Sequence, residues 1–245
     1  MLQKIIIACL LLLVFTTADV WSKNLKIAIG PSWPPLEYYD DKRQITGFSV
    51  DYAQALAQQM QMPYEIVDIN RSEIFDRLLS HDVDLIISSL AITNERARIV
   101  AFSKSYLTAY QTLVVRQDNP DLNLNNMAGR RIGVKAYTTG YGIAENKGAT
   151  CIGYNNITDA FRALLAGHID GVICDSPVAS HFTFKVHASK DRLKISDYVK
   201  QAEHYAVAMR QNEPEFLHRV NAAITALADN GTVDRLVGKW MGSQK

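Results

Sequence analysis

Cysteine is scarce in this chain, with three among 245 residues, at Cys9, Cys151 and Cys174. A small fold stapled by disulfides is therefore excluded. Net charge is nearly absent too. The 26 Lys and Arg stand against 25 Asp and Glu, which leaves no broad basic face for nucleic acid and no polybasic patch for a membrane. The six histidines, His81, His168, His181, His187, His204 and His218, show no paired metal-ligand spacing, and no nucleophile motif is present. Neither a metal nor a cofactor is expected. Long apolar runs are limited to one, "IIIACLLLLVF" from Ile5 to Phe15. Eleven residues are too few to span a bilayer but suit the apolar region of a signal peptide. Lys4 precedes the run, and the small residues of "TTADVWS" allow cleavage after Ala18 or Ser22. Residues 1–22 therefore read as a cleaved signal peptide, with export to the periplasm. "IIAC" loosely matches a lipobox with Cys9 as the acylated residue, but most of the apolar run follows Cys9, so a lipid anchor is not expected.

What is present is rhythm. Apolar residues make up 48% of the chain, ample for a core, and the length suits one large domain or two modest ones. "LKIAI" is strand-like, and "GFSVDYAQALAQQM" sets Phe48, Tyr52, Leu56 and Met60 at helical spacing. "PYEIVDI", "SEIFDRLLSH", "VDLIIS" and the extended "YQTLVVRQ" continue the alternation. It resumes with "RIGVK", "GYGIAEN", "ATCIGY", "ITDAFRALLAGH", "DGVICD" and "HYAVAMR" before two terminal helices. Such alternation predicts an α/β fold of mainly parallel sheets flanked by helices. Two blocks emerge, with "LTAYQ" and "EHYAV" as the crossings. The predicted division is a first lobe of 23–108 plus 206–245 and a second lobe of 112–203, hinged near 108–112 and 203–206. In a sheet winding outward from "RIGVK", the strands carrying Cys151 and Cys174 flank it on opposite sides. They would lie roughly 9–10 Å apart, too far for a disulfide, so two free, buried thiols are expected.

Ligands of open α/β sheets bind beyond the carboxyl ends of the strands. Those ends carry Gly30 and Trp33, then Ser88, Ser89 and Ala91, then Lys135, Thr138 and Thr139, and finally Asp175. Beyond Ala91 a helix is expected with Arg96 in its first turn, an electrostatically poor place for a cation. Arg96 has a plain reading, as a side chain snorkelling to solvent or pairing with Glu95, and Asp175 has one as a helix N-cap before Pro177. The sharper reading sets Arg96 and Asp175 on opposite walls of a cleft. The guanidinium fork suits a carboxylate, together with N–H groups of the helix start behind Ala91, and Asp175 suits an ammonium.

Five ordered stretches resemble one family. "GFSVDYAQALAQQM", "VDLIISSLAITNERARIVAFSKSY", "RIGVKAYTTG", "HIDGVICDSPVA" and "LADNGTVDRLVGKWMG" are similar to motifs of the periplasmic amino-acid-binding proteins of ABC importers, bacterial solute-binding protein family 3. The likeness spans about residues 24 to 242. It implies two lobes closing on a solute like a flytrap and delivery to an ABC permease, by a chain expected to be a monomer. By position, it implies that Arg96 and the Ala91 N–H take an α-carboxylate. Asp175 takes the α-amino group, assisted by Ser89 and Thr139, with Thr138 beside them, and Trp33 forms an aromatic wall.

Departures from the family bear on the ligand. Gly30 stands where some relatives have an aspartate that helps hold a basic side chain, and Arg71 where an aromatic residue commonly forms the opposite wall. Lys135 lies near the same pocket. The plain readings are a solvated Arg71 before a helix and a surface Lys135 at a strand end. Taken together, the changes favour an acidic or strongly polar ligand over arginine or lysine. Two other functions remain open. One is a cyclohexadienyl-dehydratase-like enzyme, but Val178 falls where such relatives carry the general acid, and valine transfers no proton. The other is a ligand-sensing module. With no second hydrophobic span before Lys245, it would act on a receptor in trans.

Overall fold

The computed structural model describes residues 24–242. The expected signal peptide, its cleavage and Cys9 lie outside the described residues.

Strand β1 (Leu25–Ile29) leads through a short hairpin, β2 (Tyr38–Tyr39) and β3 (Ile45–Thr46), into helix α1 (Phe48–Gln59). Then come β4 (Tyr64–Asp68), α2 (Ile74–Leu79), β5 (Leu85–Ile86), α3 (Asn94–Ala97) and the long β6 (Ala101–Ala109). The next stretch holds β7 (Gln111–Arg116), β8 (Arg131–Lys135), α4 (Thr139–Asn146), β9 (Thr150–Tyr154) and α5 (Ile157–Leu165). It continues through β10 (Gly171–Asp175), α6 (Ser176–Ser180), a π-helical turn at His181–Lys185 and β11 (Leu193–Tyr198). Strand β12 (Glu203–Met209) precedes α7 (Pro214–Asp229) and α8 (Thr232–Met241).

The strands form two five-stranded sheets, ordered β4-β1-β5-β12-β6 and β11-β7-β10-β8-β9. In the first, β1 pairs in parallel with β4 and β5, while β12 runs antiparallel to β5 and β6. In the second, β8 pairs in parallel with β9 and β10, and β7 runs antiparallel to β10 and β11. The chain passes between sheets at Tyr110 and returns between Tyr198 and Glu203. Helices α7 and α8 follow that return and pack on α1. The two-lobe α/β architecture is thus the one expected, but the sheets are mixed and not mainly parallel, because the crossing strands β6 and β7 and the returning β11 and β12 pair antiparallel.

The periodicities account for the packing. Phe48, Tyr52 and Leu56 on α1 are fully buried and Met60 nearly so. On α5, Ile157, Ala160, Phe161 and Leu164 recur at helical spacing and are all buried, which gives one apolar stripe against β8 and β10. Phe161 stacks on Phe182 at 3.9 Å between ring centroids. Each such buried side chain contributes about 1.5–3 kcal/mol. Helix α5 begins where it does because Asn156 caps it, its Oδ1 accepting from the Thr158 N–H at 2.9 Å. Asn156→Ala should cost about 1 kcal/mol, a fall of roughly 2–4 °C in Tm for a chain of this size. An unchanged calorimetric Tm would remove the cap from the account.

Strand β8 does separate β9 from β10, so Cys151 and Cys174 flank it on opposite sides, and both are free thiols. One detail is corrected. Cys174 is buried in the central strand, but Cys151 is only partly covered, because β9 is the edge of its sheet.

Candidate functional site

The carboxyl ends of β1, β5, β8 and β10 meet between the two sheets, and the chain holds them in a closed arrangement. Trp33, just after β1, donates its indole N–H to Asp175 Oδ2 at 2.7 Å across the cleft. Lys135, at the end of β8, donates to the Ser32 hydroxyl, with its ammonium 5.0 Å from the centroid of the Trp33 ring. The Ile157 N–H reaches the Ser32 carbonyl at 3.3 Å. From the other lobe, Arg96 Nη2 lies 3.4 Å from the Tyr137 carbonyl.

Around these crossings the candidate residues converge. Arg96 Nη1 donates to the Ala91 carbonyl at 2.8 Å, and the Ala91 N–H donates to no described residue. Arg71 Nη1 donates to the Ser88 carbonyl at 2.8 Å. Gln111, the first residue of β7, donates its amide to Asp175, to Thr139 Oγ1 at 3.2 Å and to Glu203 at 3.0 Å. Thr138 turns away, its hydroxyl donating to the Lys135 carbonyl at 2.8 Å. Ser89, held at φ 46°, is aimed elsewhere as well: its hydroxyl donates to Glu37 Oε2 at 2.8 Å.

The helix behind Ala91 is present with Arg96 in its first turn, as expected, but its N-terminus is not the anion site expected of it. It is a single turn, Asn94–Ala97, and the Thr93 side chain already accepts from the Arg96 N–H at 3.2 Å. So short a helix has little dipole, and it presents no anion-binding terminus. What Arg96 can offer an anion is its guanidinium alone. Nor does it pair with Glu95: among the described residues Arg71, Arg96 and Lys135 each lack a carboxylate within 4 Å.

Glu37 escaped the sequence reading. It is wholly buried, and its Oε2 accepts from Ser49 at 2.6 Å and from Ser89, while Oε1 has no hydrogen-bond partner among the described residues. Nothing local distinguishes it, because "EYYDD" reads as a solvated acidic turn. Burial pushes its carboxyl up to about 7, against the pull of the Ser49 bond and of the Lys135 charge. Lys135 faces it from the other lobe. Burial, and then the charge of Arg71, push that amine down to about 7. Asp175 is raised to about 6 by burial and by Glu203, opposed by the Trp33 bond. Arg96 is lowered to about 10, by burial and then by Arg71, and stays charged at neutral pH. The site is therefore polar, buried and dense in charge. It can grip a small ion with opposite charges at its two ends.

A cavity of about 210 Å³ adjoins it, lined by residues including Gly30, Ser32, Tyr39, Asp68, Asn70 and Arg71. A larger cavity of about 510 Å³, near Met62, Arg210 and Phe216, lies elsewhere in the first lobe. Of its two arginines, Arg210 and Arg219, the first is committed already, to Asp84 at 3.5 Å and Glu213 at 2.7 Å.

Comparison with known proteins agrees with this geometry. Residues 25–243 match the family model described as bacterial extracellular solute-binding proteins, family 3. The arginine-binding extracellular protein ArtP of Bacillus subtilis is 27% identical over 91% of this chain and 88% of its own length. Among solved structures, a mutant of ArgBP from T. maritima superposes with a TM-score of 0.81 at 32% identity, covering 90% of this chain and 96% of that one. An ancestral amino acid-binding protein, described as a precursor of cyclohexadienyl dehydratase, gives 0.80 at 28% identity, covering 89% and 95%.

Proposed function

The chain belongs to the bacterial extracellular solute-binding proteins, family 3, and on that premise we propose that it captures an α-amino acid in the periplasm and delivers it to an ABC permease. The observation that carries this reading is the pair Arg96 and Asp175. The two groups come from different lobes and meet in one closed cleft. A carboxylate entering beside Arg96 would meet the guanidinium fork and the Ala91 N–H. An ammonium would lie against Asp175, whose two oxygens have lone pairs beyond those taken by Trp33 and Gln111. Each end of the zwitterion thus belongs to a different lobe, so the ligand favours the closed state by contacts that the open state lacks. The lobes hinge at Tyr110 and at the return into β12. Thr139 steadies the ammonium end through Gln111.

The dehydratase reading is placed second. Val178 is fully buried on α6, at the position where that chemistry needs an acid. Glu37 holds a proton readily near neutral pH, but it is closed in beneath Ser49 and Ser89.

A thermal-shift screen of the mature protein against the common amino acids, small dicarboxylates and prephenate-like acids tests the reading. Ligand at about 100 times its Kd adds roughly 2.7 kcal/mol, or about 5–11 °C for this size. A response to one or a few amino acids is expected. Silence from every amino acid, with a response to a cyclic acid that is consumed, would put the enzyme first.

A further inference from the structure

We infer that the side-chain end of this cleft takes a second anionic group, so that the ligand is a dicarboxylic amino acid, with Arg71 as the residue that selects it. The inference rests on the zwitterion reading above.

The charges divide into two sets. Arg96, Asp175 and Glu203 stand at the zwitterion end: Arg96 serves the ligand's carboxylate, Asp175 its ammonium, and Glu203 lies behind Asp175 against the Gln111 amide. What remains facing the Gly30–Ser32 turn is Arg71 and Lys135 against Glu37. Glu37 and Lys135 sit on opposite lobes within each other's field. Whether the proton rests on the carboxyl or on the amine, that pair sums to zero. Arg71 is then left as net positive charge at this end, and among the described residues its guanidinium bonds only the neutral Ser88 carbonyl. Its field is felt across the cleft, since it depresses both Lys135 and Arg96.

A basic ligand side chain would bring a further cation to an end where, among the described residues, Glu37 is closed in beneath Ser49 and Ser89 and Asp68 is bonded to the Tyr39 hydroxyl. The turn opposite Arg71 carries no anion. A Cβ at Gly30 would already lie 3.1 Å from the Ile69 carbonyl oxygen and 3.5 Å from Ser88 Oγ, so an acidic side chain has little room there. Asp68 also lines this space, but it already accepts from the Tyr39 hydroxyl. A carboxylate in the 210 Å³ space beside Gly30 and Ser32, by contrast, meets Arg71 from one lobe, and displacing the Ser32 hydroxyl would bring it to Lys135 of the other. It adds a cross-lobe contact that neutral side chains lack.

The same geometry links binding to protons. Lys135 faces Arg71, Glu37, Asp175 and the Ser32 hydroxyl; Glu37 faces Lys135, Arg71, Tyr106 and the Ser49 and Ser89 hydroxyls. A bound anion favours protonated Lys135 and protonated Glu37 alike. Affinity for the acid should therefore fall as pH rises from about 6 to 8.5, by up to about tenfold per pH unit for each proton taken up.

Isothermal titration calorimetry on the mature protein and on Arg71→Met, with L-glutamate, L-aspartate, L-glutamine, L-asparagine and L-arginine, decides the matter. Wild type should bind glutamate or aspartate at least about tenfold tighter than the corresponding amide. Arg71→Met should remove that gap and leave the amide within about threefold. Amides or arginine binding as tightly as the acids would overturn the inference and leave the zwitterion reading standing. So would a variant that weakens acid and amide equally. Binding by none of the five would overturn the inference, and the zwitterion reading would fall with it only if the screen of all the common amino acids were silent too.

Discussion

Arg96→Ala should cost about 2–5 kcal/mol of binding free energy, the range for truncating one partner of a desolvated charge pair. Expressed as Kd, this is roughly 30-fold to several thousand-fold weaker. The loss arises twice over. The ligand carboxylate gives up its bidentate partner, and it stays in a closed, buried cleft where water cannot replace that partner. The fold should tolerate the change. Beyond the α-helical backbone, Arg96 contributes only hydrogen bonds to the carbonyls of Ala91 and Tyr137. Arg96→Lys is the informative control, since it keeps the charge but loses the planar fork; an intermediate loss is expected. Calorimetric titration with the amino acid found by screening gives the answer. An alanine variant binding within a few-fold of wild type would place the carboxylate elsewhere.

Much of the molecule was legible because its signals are local. The face of α1 follows from the spacing of Phe48, Tyr52 and Leu56, and the stripe of α5 from Ile157 to Leu164, since helical period alone decides which side is buried. The order β10-β8-β9, and with it the separation of the two thiols, follows from the rule that sheets wind outward from a central strand. The cleft could be located because strand ends are where open α/β sheets bind ligands. Less visible were features that depend on residues distant in sequence. The indole of Trp33 bonds Asp175 from 142 positions away, so the residue expected as a flat wall is also a strut between lobes. Glu37 is buried because Ser89, 52 residues on, and Ser49 close over it. No periodicity can announce that. The helix carrying Arg96 was overread for a different reason: N-cap and first-turn signals mark where a helix begins but not how soon it ends.

Gly47→Ala should destabilise the protein by about 3 kcal/mol or more, and should weaken ligand binding although the residue lies outside the cleft. Gly47 precedes α1 at φ 124°, ψ 178°, a conformation essentially reserved for glycine, which costs other residues of order 1–3 kcal/mol. Space makes matters worse. A Cβ there would lie 2.2 Å from the Leu36 carbonyl oxygen and 2.9 Å from that of Pro35, and backbone atoms cannot swing aside as a flexible side chain can. Those two carbonyls also accept the first N–H groups of α1, Ser49 to Leu36 at 2.8 Å and Phe48 to Pro35 at 3.2 Å. Relief of the clash therefore breaks helix-capping bonds worth about 1 kcal/mol each. At roughly 2–4 °C per kcal/mol, Tm should fall by about 6–12 °C. The coupling to binding follows from the same turn. Trp33 and Glu37 are its two ends, joined by the Trp33 N–H to the Glu37 carbonyl at 2.7 Å, so displacing Leu36 moves the strut to Asp175 and the partner of Lys135 together. Gly129→Ala separates this from a general glycine effect. Its φ is 72° and a Cβ would meet nothing within 4 Å, so only the left-handed penalty of about 1–2 kcal/mol is expected, with affinity unchanged. Calorimetry of both variants, with and without ligand, would reject the coupling if Gly47→Ala lost stability while binding as wild type does.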